Sequence, residues 1–283
     1  MLKFAAICPH PPIIIPTIGS PADLKNVSKT ISAMEKLAEI FAKSAPDTVI
    51  VISPHGPVDF NQFTINDSPT LAGHFYNFGD LQTEFIFKND LELIKQIKNK
   101  IQKTTLRNNT HDRGLNLSGS ESILRTVNIK ELDHGTLVPL YYLSKHHLNF
   151  KVVPIAYSFL DLKTHFQFGQ LLQKTIEHSN ILQNVGIIAS GDLSHRLTPD
   201  APAGYSPRGK EFDEKLIELL KKKDVKGILN MDPDLVEEAG ECGYRSIIIL
   251  LGALNGLDWQ PEILSYEGPF GVGYLVANFK FLT

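Results

Sequence analysis

Three short apolar runs, at residues 4–8, 49–52 and 185–189, each break off into a turn that carries a histidine. Runs of this length are too short for stable helices. Their lack of polar alternation marks strands buried on both faces of a sheet. Amphipathic segments stand between them. Leu24, Val27, Ile31, Met34, Leu37, Ala38 and Phe41 recur at three- and four-residue spacing, which predicts one long helix with that stripe turned inward. Leu91, Ile94, Ile97 and Ile101 do the same on a more polar segment, and helices are expected over 137–143, 162–177, 209–223 and 246–254. Strands are expected at 151–156, 262–266 and 272–281, short strands or loop at 63–66 and 74–78, and loop over 109–130. Such alternation predicts an α/β fold with helices on both faces of its sheet. No repeat or Gly/Pro/Ser-rich linker divides the 283 residues, so a single domain over 1–283 is expected.

In open α/β sheets, sites form outside the carboxyl ends of the strands. The turns there read Pro9-His10-Pro11-Pro12, Ser53-Pro54-His55-Gly56-Pro57 and Ser190-Gly191-Asp192-Leu193-Ser194-His195. If the three strands are neighbours, His10, His55 and His195 reach one crevice, and the prolines stiffen the turns that present the first two rings. His134, in Asp133-His134-Gly135-Thr136, stands where a loop enters a helix. A ring facing the cleft and a piece of helix cap fit that position equally well. His74, His111, His146, His147, His165 and His178 lie in polar surroundings and are expected at the surface. Glu241, followed by Cys242 and Gly243, precedes an apolar helix whose positive end favours a carboxylate. Two histidines and one carboxylate are also the ligand set of non-haem Fe(II) centres and of catalytic zinc; ligand type alone does not choose between them.

Lys and Arg number 28 against 31 Asp and Glu, a net charge of −3, so there is no basic surplus for nucleic acid or an anionic membrane. No apolar stretch approaches the roughly 20 residues of a membrane helix. The first residues lack the pattern of a signal peptide, so a cytoplasmic protein is expected. Cys8 and Cys242 are expected to stay reduced thiols there. Lys221-Lys222-Lys223 reads as the solvated end of a helix.

Taken in order, the His10, His55 and His195 turns, Asp133-His134-Gly135 with Val138-Pro139-Leu140, and Gly240-Glu241-Cys242-Gly243 resemble the class III extradiol ring-cleavage dioxygenases. The likeness is to their catalytic B-type subunit, represented by protocatechuate 4,5-dioxygenase, and it covers essentially the whole chain. Residues 201–213 and 266–274 are similar to the Memo-like branch. The resemblance implies a single domain with a central mixed sheet flanked by helices. It implies Fe(II) on His10, His55 and Glu241, His195 as the acid–base group, and His134 as a second active-site histidine near the substrate. An aromatic diol and O₂ are the implied substrates, with a small partner subunit covering the pocket. A homodimer is expected on general grounds. The same residues leave two other outcomes open. One is a Memo-like metal- or ligand-binding protein without catalysis, in which Cys242 or a copper ion takes part. The other is a zinc-dependent hydrolase with His195 as base.

Overall fold

Side chains alternate across β1 (Leu2–Cys8): Ala5 and Ile7 enter one hydrophobic core, while Phe4, Ala6 and Cys8 enter another on the opposite face. β2 (Thr48–Ser53) divides in the same way, with Ile50 and Ile52 on one side and Val49 and Val51 on the other. That two-sided burial is why these strands read as unbroken apolar runs. They lie in a computed structural model that describes residues 1–108, 122–179 and 182–282.

The remaining strands are β3 (Phe63–Asn66), β4 (Thr70–Phe75), β5 (Asp80–Lys88), β6 (Leu124–Val127), β7 (Lys151–Ala156), β8 (Val185–Ser190), β9 (Trp259–Glu267) and β10 (Tyr274–Phe281). Eight of them form one sheet in the order β6-β3-β7-β2-β8-β1-β10-β9, and β4 and β5 pair separately as a hairpin. β7, β2, β8 and β1 run parallel, whereas β3 meets β7 and β10 meets β1 antiparallel, so the sheet is mixed.

The helices are α1 (Pro21–Asn26), α2 (Ser28–Ser44), α3 (Leu91–Asn108), α4 (His134–Leu143), α5 (Leu162–Glu177), α6 (Pro207–Lys221), α7 (Val225–Leu229), α8 (Pro233–Ala239) and α9 (Tyr244–Ala253). α2, α4 and the β4–β5 hairpin cover one face of the sheet; α3, α5 and α9 cover the other, with α6 to α8 packed beside them. Among the described residues, no helix is long and apolar enough to cross a membrane.

Three expectations change. The first long helix is two, because a Ser20/Asp23 capping box starts α1 and Val27 (φ −104°, ψ 21°) leaves helical dihedrals before α2 begins. The inward stripe survives the break, since Val27, Met34, Leu37, Ala38 and Phe41 are all buried. The expected loop over 109–130 contains strand β6; its residues 109–121, with His111, lie outside the described residues. His165 is not a surface residue. It is 0% exposed on the inner side of α5, with Nδ1 2.8 Å from the Asp161 carbonyl and Nε2 3.0 Å from the Ser158 carbonyl. Burial holds its pKa down, to about 4, against the two carbonyls that favour the proton.

Candidate metal centre

β2, β8 and β1 are adjacent and parallel, so their carboxyl ends deliver His55, the 190–195 turn and His10 to one edge of the sheet. The amino ends of α4 and α9 close on that edge from opposite faces, bringing His134 from one side and Glu241 and Cys242 from the other. The His55 ring stacks on the His134 ring at 4.3 Å between centroids, and His10 meets both edge-on, at 4.8 and 5.5 Å. One ligand nitrogen from each of the three lies within 4.8 Å of the others.

Hydrogen bonds fix the tautomer of His10. This residue is 2% exposed; its backbone N–H donates to Asp192 Oδ1 at 2.9 Å, and its Nδ1 lies 3.0 Å from Ser190 Oγ. Ser190 donates its single hydroxyl proton to the Gly135 carbonyl at 2.5 Å. The hydroxyl must therefore accept from His10 Nδ1–H, which leaves His10 Nε2 with a bare lone pair. That lone pair faces His55 Nε2 at 3.0 Å. Two nitrogens bound at about 2.1 Å to one cation, at right angles, also stand about 3.0 Å apart. The donor set and its spacing fit a divalent transition metal.

Electrostatics keep these rings neutral. Burial lowers the pKa of His10 well below its ordinary value, and the neighbouring His55, His134 and His195 lower it further. Burial also lowers His55 and His134, opposed in both by the Asp133 carboxylate. Asp133 is held in place by Ser53 Oγ at 2.5 Å and by the Thr136 N–H and hydroxyl at 2.9 and 2.8 Å. Ser53 in turn accepts the His55 backbone N–H at 3.1 Å.

His195 and Glu241 lie outside that set of three nitrogens. The His195 backbone N–H donates to the Ala239 carbonyl at 3.1 Å, while its Nδ1 is buried without a hydrogen-bond partner; burial lowers its pKa. The set of three nitrogens within 4.8 Å of one another does not include Glu241. Its Oε2 accepts the Tyr244 N–H at 2.5 Å, and burial raises its pKa to about 7. Its neighbour reaches the rings: Cys242 Sγ lies 3.6 Å from His10 Nε2 and accepts the Asp192 N–H at 3.3 Å. Burial, with Asp192 adding to it, pushes this thiol well above its ordinary pKa. Asp192 is itself raised to about 7 by burial.

Ser190, Asp192 and Phe78 carry roles that the sequence reading did not assign. Ser190 and Asp192 were visible as the polar ends of a buried strand. Phe78, whose ring lies 5.3 Å from His134 beyond the β4 strand, had no pattern to mark it. A cavity of about 400 Å³, within the range of small-molecule sites, opens beside His55 between β3, β7 and residues 129–133.

Comparison with known proteins follows the same line. The family described as the catalytic LigB subunit of aromatic ring-opening dioxygenase matches residues 4–277. The chain is 37% identical over 275 residues to protein CA_C1420 of Clostridium acetobutylicum, covering 97% of this chain and 56% of that protein. It thus spans little more than half the length of that relative. It is 26% identical over 239 residues to 3,4-dihydroxyphenylacetate 2,3-dioxygenase of Escherichia coli, covering 77% of this chain and 78% of that one. A MEMO1 family protein of Methanosarcina mazei is 30% identical over 126 residues, 44% of this chain and 43% of the relative. The crystal structure of the uncharacterized protein JW3007 from E. coli K12 superposes with a TM-score of 0.64 at 15% identity, over 98% of this chain and 99% of that one, which shows a shared fold.

Proposed function

Because the chain belongs to the LigB family of aromatic ring-opening dioxygenase catalytic subunits, we propose that it is a non-haem Fe(II) dioxygenase that opens the ring of a catechol-like substrate beside the diol. Both atoms of O₂ enter the product as one ring C–C bond breaks, so no outside reductant is needed. The observation that carries this reading is the convergence of three neutral imidazoles, two with Nε2 atoms 3.0 Å apart. His10 and His55 form the ligand pair. The third donor comes from His134, Cys242 or Glu241, which the substitutions below separate.

Bound Fe(II) would acidify a catechol hydroxyl and pass charge from the ring to O₂. The rest falls to the protein. Ser190 and Asp192 hold His10 in the orientation and tautomer that present Nε2. The neutral His195 ring takes the second hydroxyl proton of the diol and returns it as the ring opens, a task suited to an imidazole near neutral pH. His134 hydrogen-bonds the substrate, with Phe78 against its ring.

A second reading, a Memo-like metal-binding protein without turnover, is favoured by the Cys242 thiol 3.6 Å from His10 Nε2. Sulfur is a softer donor than such iron centres generally use. Anaerobic reconstitution with Fe(II) and titration with catechols separates the two. Turnover and a perturbed metal spectrum are expected, and silence towards every diol selects the second reading. His195→Gln should keep metal while turnover falls by about 10²–10⁴. His10→Ala and His55→Ala should each lose metal; full stoichiometry in either refutes the ligand pair.

A further inference from the structure

We infer that Asp213 is a positioning residue for the acid–base group: its carboxylate holds the Ser194 peptide and, through it, aims the His195 ring at the diol. This deepens the proposed function and rests on it for the role of His195. Two segments singled out in the sequence, 201–213 and 266–274, supply no ring or thiol to the metal centre, yet both close on the turn that carries His195. Gly273 donates its N–H to the Ser194 carbonyl and accepts the Leu193 N–H, both at 2.8 Å, and Gly271 accepts the Leu197 N–H at 3.0 Å. From the other segment, the N–H groups of Ala203 and Ser206 donate to the His195 and Arg196 carbonyls at 3.2 and 3.0 Å. Asp213 stands where the two segments meet, 0% exposed on α6. Its Oδ1 accepts the Ser194 N–H at 2.8 Å, and its Oδ2 accepts the Tyr266 hydroxyl at 2.6 Å. A Cβ on Gly273 would lie 2.1 Å from that Oδ2, so glycine there makes room for the carboxylate.

A general base is commonly aimed by a hydrogen bond to the ring nitrogen that does not react. His195 lacks such a bond: its Nδ1 is buried without a partner, and the polar groups that favour its proton are backbone groups of Gly240 and Leu193. The direction of the ring therefore follows the backbone of residues 193–195. Asp213 is the side chain that grips this backbone from outside the turn. The Ser194 hydroxyl is engaged elsewhere, donating to the Ala239 carbonyl at 2.9 Å and accepting the Arg196 N–H at 3.0 Å. Without the carboxylate, the Ser194 N–H is buried and unpaired, an unfavourable state that the turn can relieve only by twisting. A displacement of about 1 Å at a reacting group costs about 10²-fold in rate.

Steady-state turnover of catechol by the Fe(II)-loaded protein tests this. Asp213→Ala should lower kcat by about 10- to 100-fold, while KM and iron per chain stay within about 2-fold of the wild type. Asp213→Asn, whose amide oxygen can still accept the Ser194 N–H, should return most of that loss. In a His195→Gln background, Asp213→Ala should change kcat by less than about 3-fold, because residues that act as a unit are not additive. A loss that multiplies in the double variant, or an Asp213→Ala defect shared by KM or iron content, overturns the assignment. Should Asp213→Ala fail to fold, Tyr266→Phe, which frees Oδ2 and leaves the Ser194 bond, takes its place with a smaller loss and the same criterion in the double variant. If the wild type turns over no diol, the dioxygenase reading fails, and proton NMR of the metal-free protein decides Asp213 separately. Asp213→Ala should then shift the Cε1–H signal that His195→Gln removes and leave that of the buried His165 in place. An unmoved His195 signal removes the assignment.

Discussion

α4 and α9 both begin at the candidate metal centre, yet their first turns are held in different ways. At α4 the N-cap is Asp133, whose carboxylate accepts the Thr136 N–H, so the adjacent His134 ring is free to join the imidazole cluster. At α9 the N-cap is Gly243, which has no side chain to offer, and Glu241 reaches forward to the Tyr244 N–H instead. One helix separates the capping group from the functional group; the other places both demands on a single carboxylate. The flanks differ in charge as well. Burial keeps the imidazoles on the α4 side unprotonated, while on the α9 side it drives Glu241 towards its protonated form. The α4 flank therefore offers ready lone pairs, and the α9 flank offers donors already engaged in holding structure.

The most disruptive way to probe this difference is at the joint between β8 and α9. A Cβ on Gly191 would lie 2.1 Å from Gly243 Cα, a backbone atom with nowhere to go. Gly191→Ala should therefore cost about 3 kcal/mol or more in chemical denaturation. On the α4 flank, a Cβ on Gly135 would meet the Ser53 hydroxyl at 2.5 Å and Asp133 Oδ1 at 3.0 Å, side-chain atoms that can shift. Gly135→Ala should cost less, about 1–2 kcal/mol. Equal losses would mean that the two flanks are equally rigid.

The next largest effect is a pH dependence. Asp213 is buried behind the His195 loop, accepts the Ser194 N–H at 2.8 Å and the Tyr266 hydroxyl at 2.6 Å, and is raised by burial to about 7. A carboxyl with a raised folded pKa binds its proton more tightly folded than unfolded, so it costs stability as pH climbs from about 4 to about 7. Asn at this position can accept from Ser194, donate to Tyr266 oxygen and carry no charge. Measured against Asp213→Asn, the wild type should gain roughly 1.4 kcal/mol per pH unit as pH falls from 7 to 5. A difference that does not vary with pH would show that Asp213 is ionised throughout.

Ser190→Ala follows, acting between the flanks. It removes the acceptor for His10 Nδ1–H and frees the ring to adopt the wrong tautomer. Metal affinity should fall by about 10- to 100-fold, the usual worth of a group that orients a ligand. Unchanged affinity, measured by competition with a chelator, would mean that the neighbouring rings alone orient His10.

Much of this was legible in the chain. Strand ends could be read because β1, β2 and β8 are buried on both faces, and a strand without polar residues stops visibly where Pro9, Ser53 or Ser190 begins. The histidines following those stops could be read with them. Strand β6 left no trace because it lies at the sheet edge and only Leu124 is buried in it. His165 was hidden because its ring nitrogens face two backbone carbonyls, which no side-chain pattern reports. The part played by Glu241 was ambiguous for a similar reason. A carboxylate before a helix serves the amide groups or an ion equally well in sequence, and only the direction of its oxygens tells them apart.

That ambiguity supplies the smallest and most discriminating prediction. Glu241→Gln retains an oxygen able to accept the Tyr244 N–H, so the α9 cap survives and stability should change by less than about 1 kcal/mol. The amide is a far poorer metal donor than the carboxylate it replaces. If the imidazole cluster and the nearby Cys242 thiol suffice, bound metal per chain should equal that of the wild type, while His134→Ala or Cys242→Ala reduces it. Loss of metal from Glu241→Gln at an unaltered melting temperature would reverse the comparison between the helices: the carboxylate that closes α9 would then be a ligand as well, and the first turn of that helix would be ordered in part by the ion.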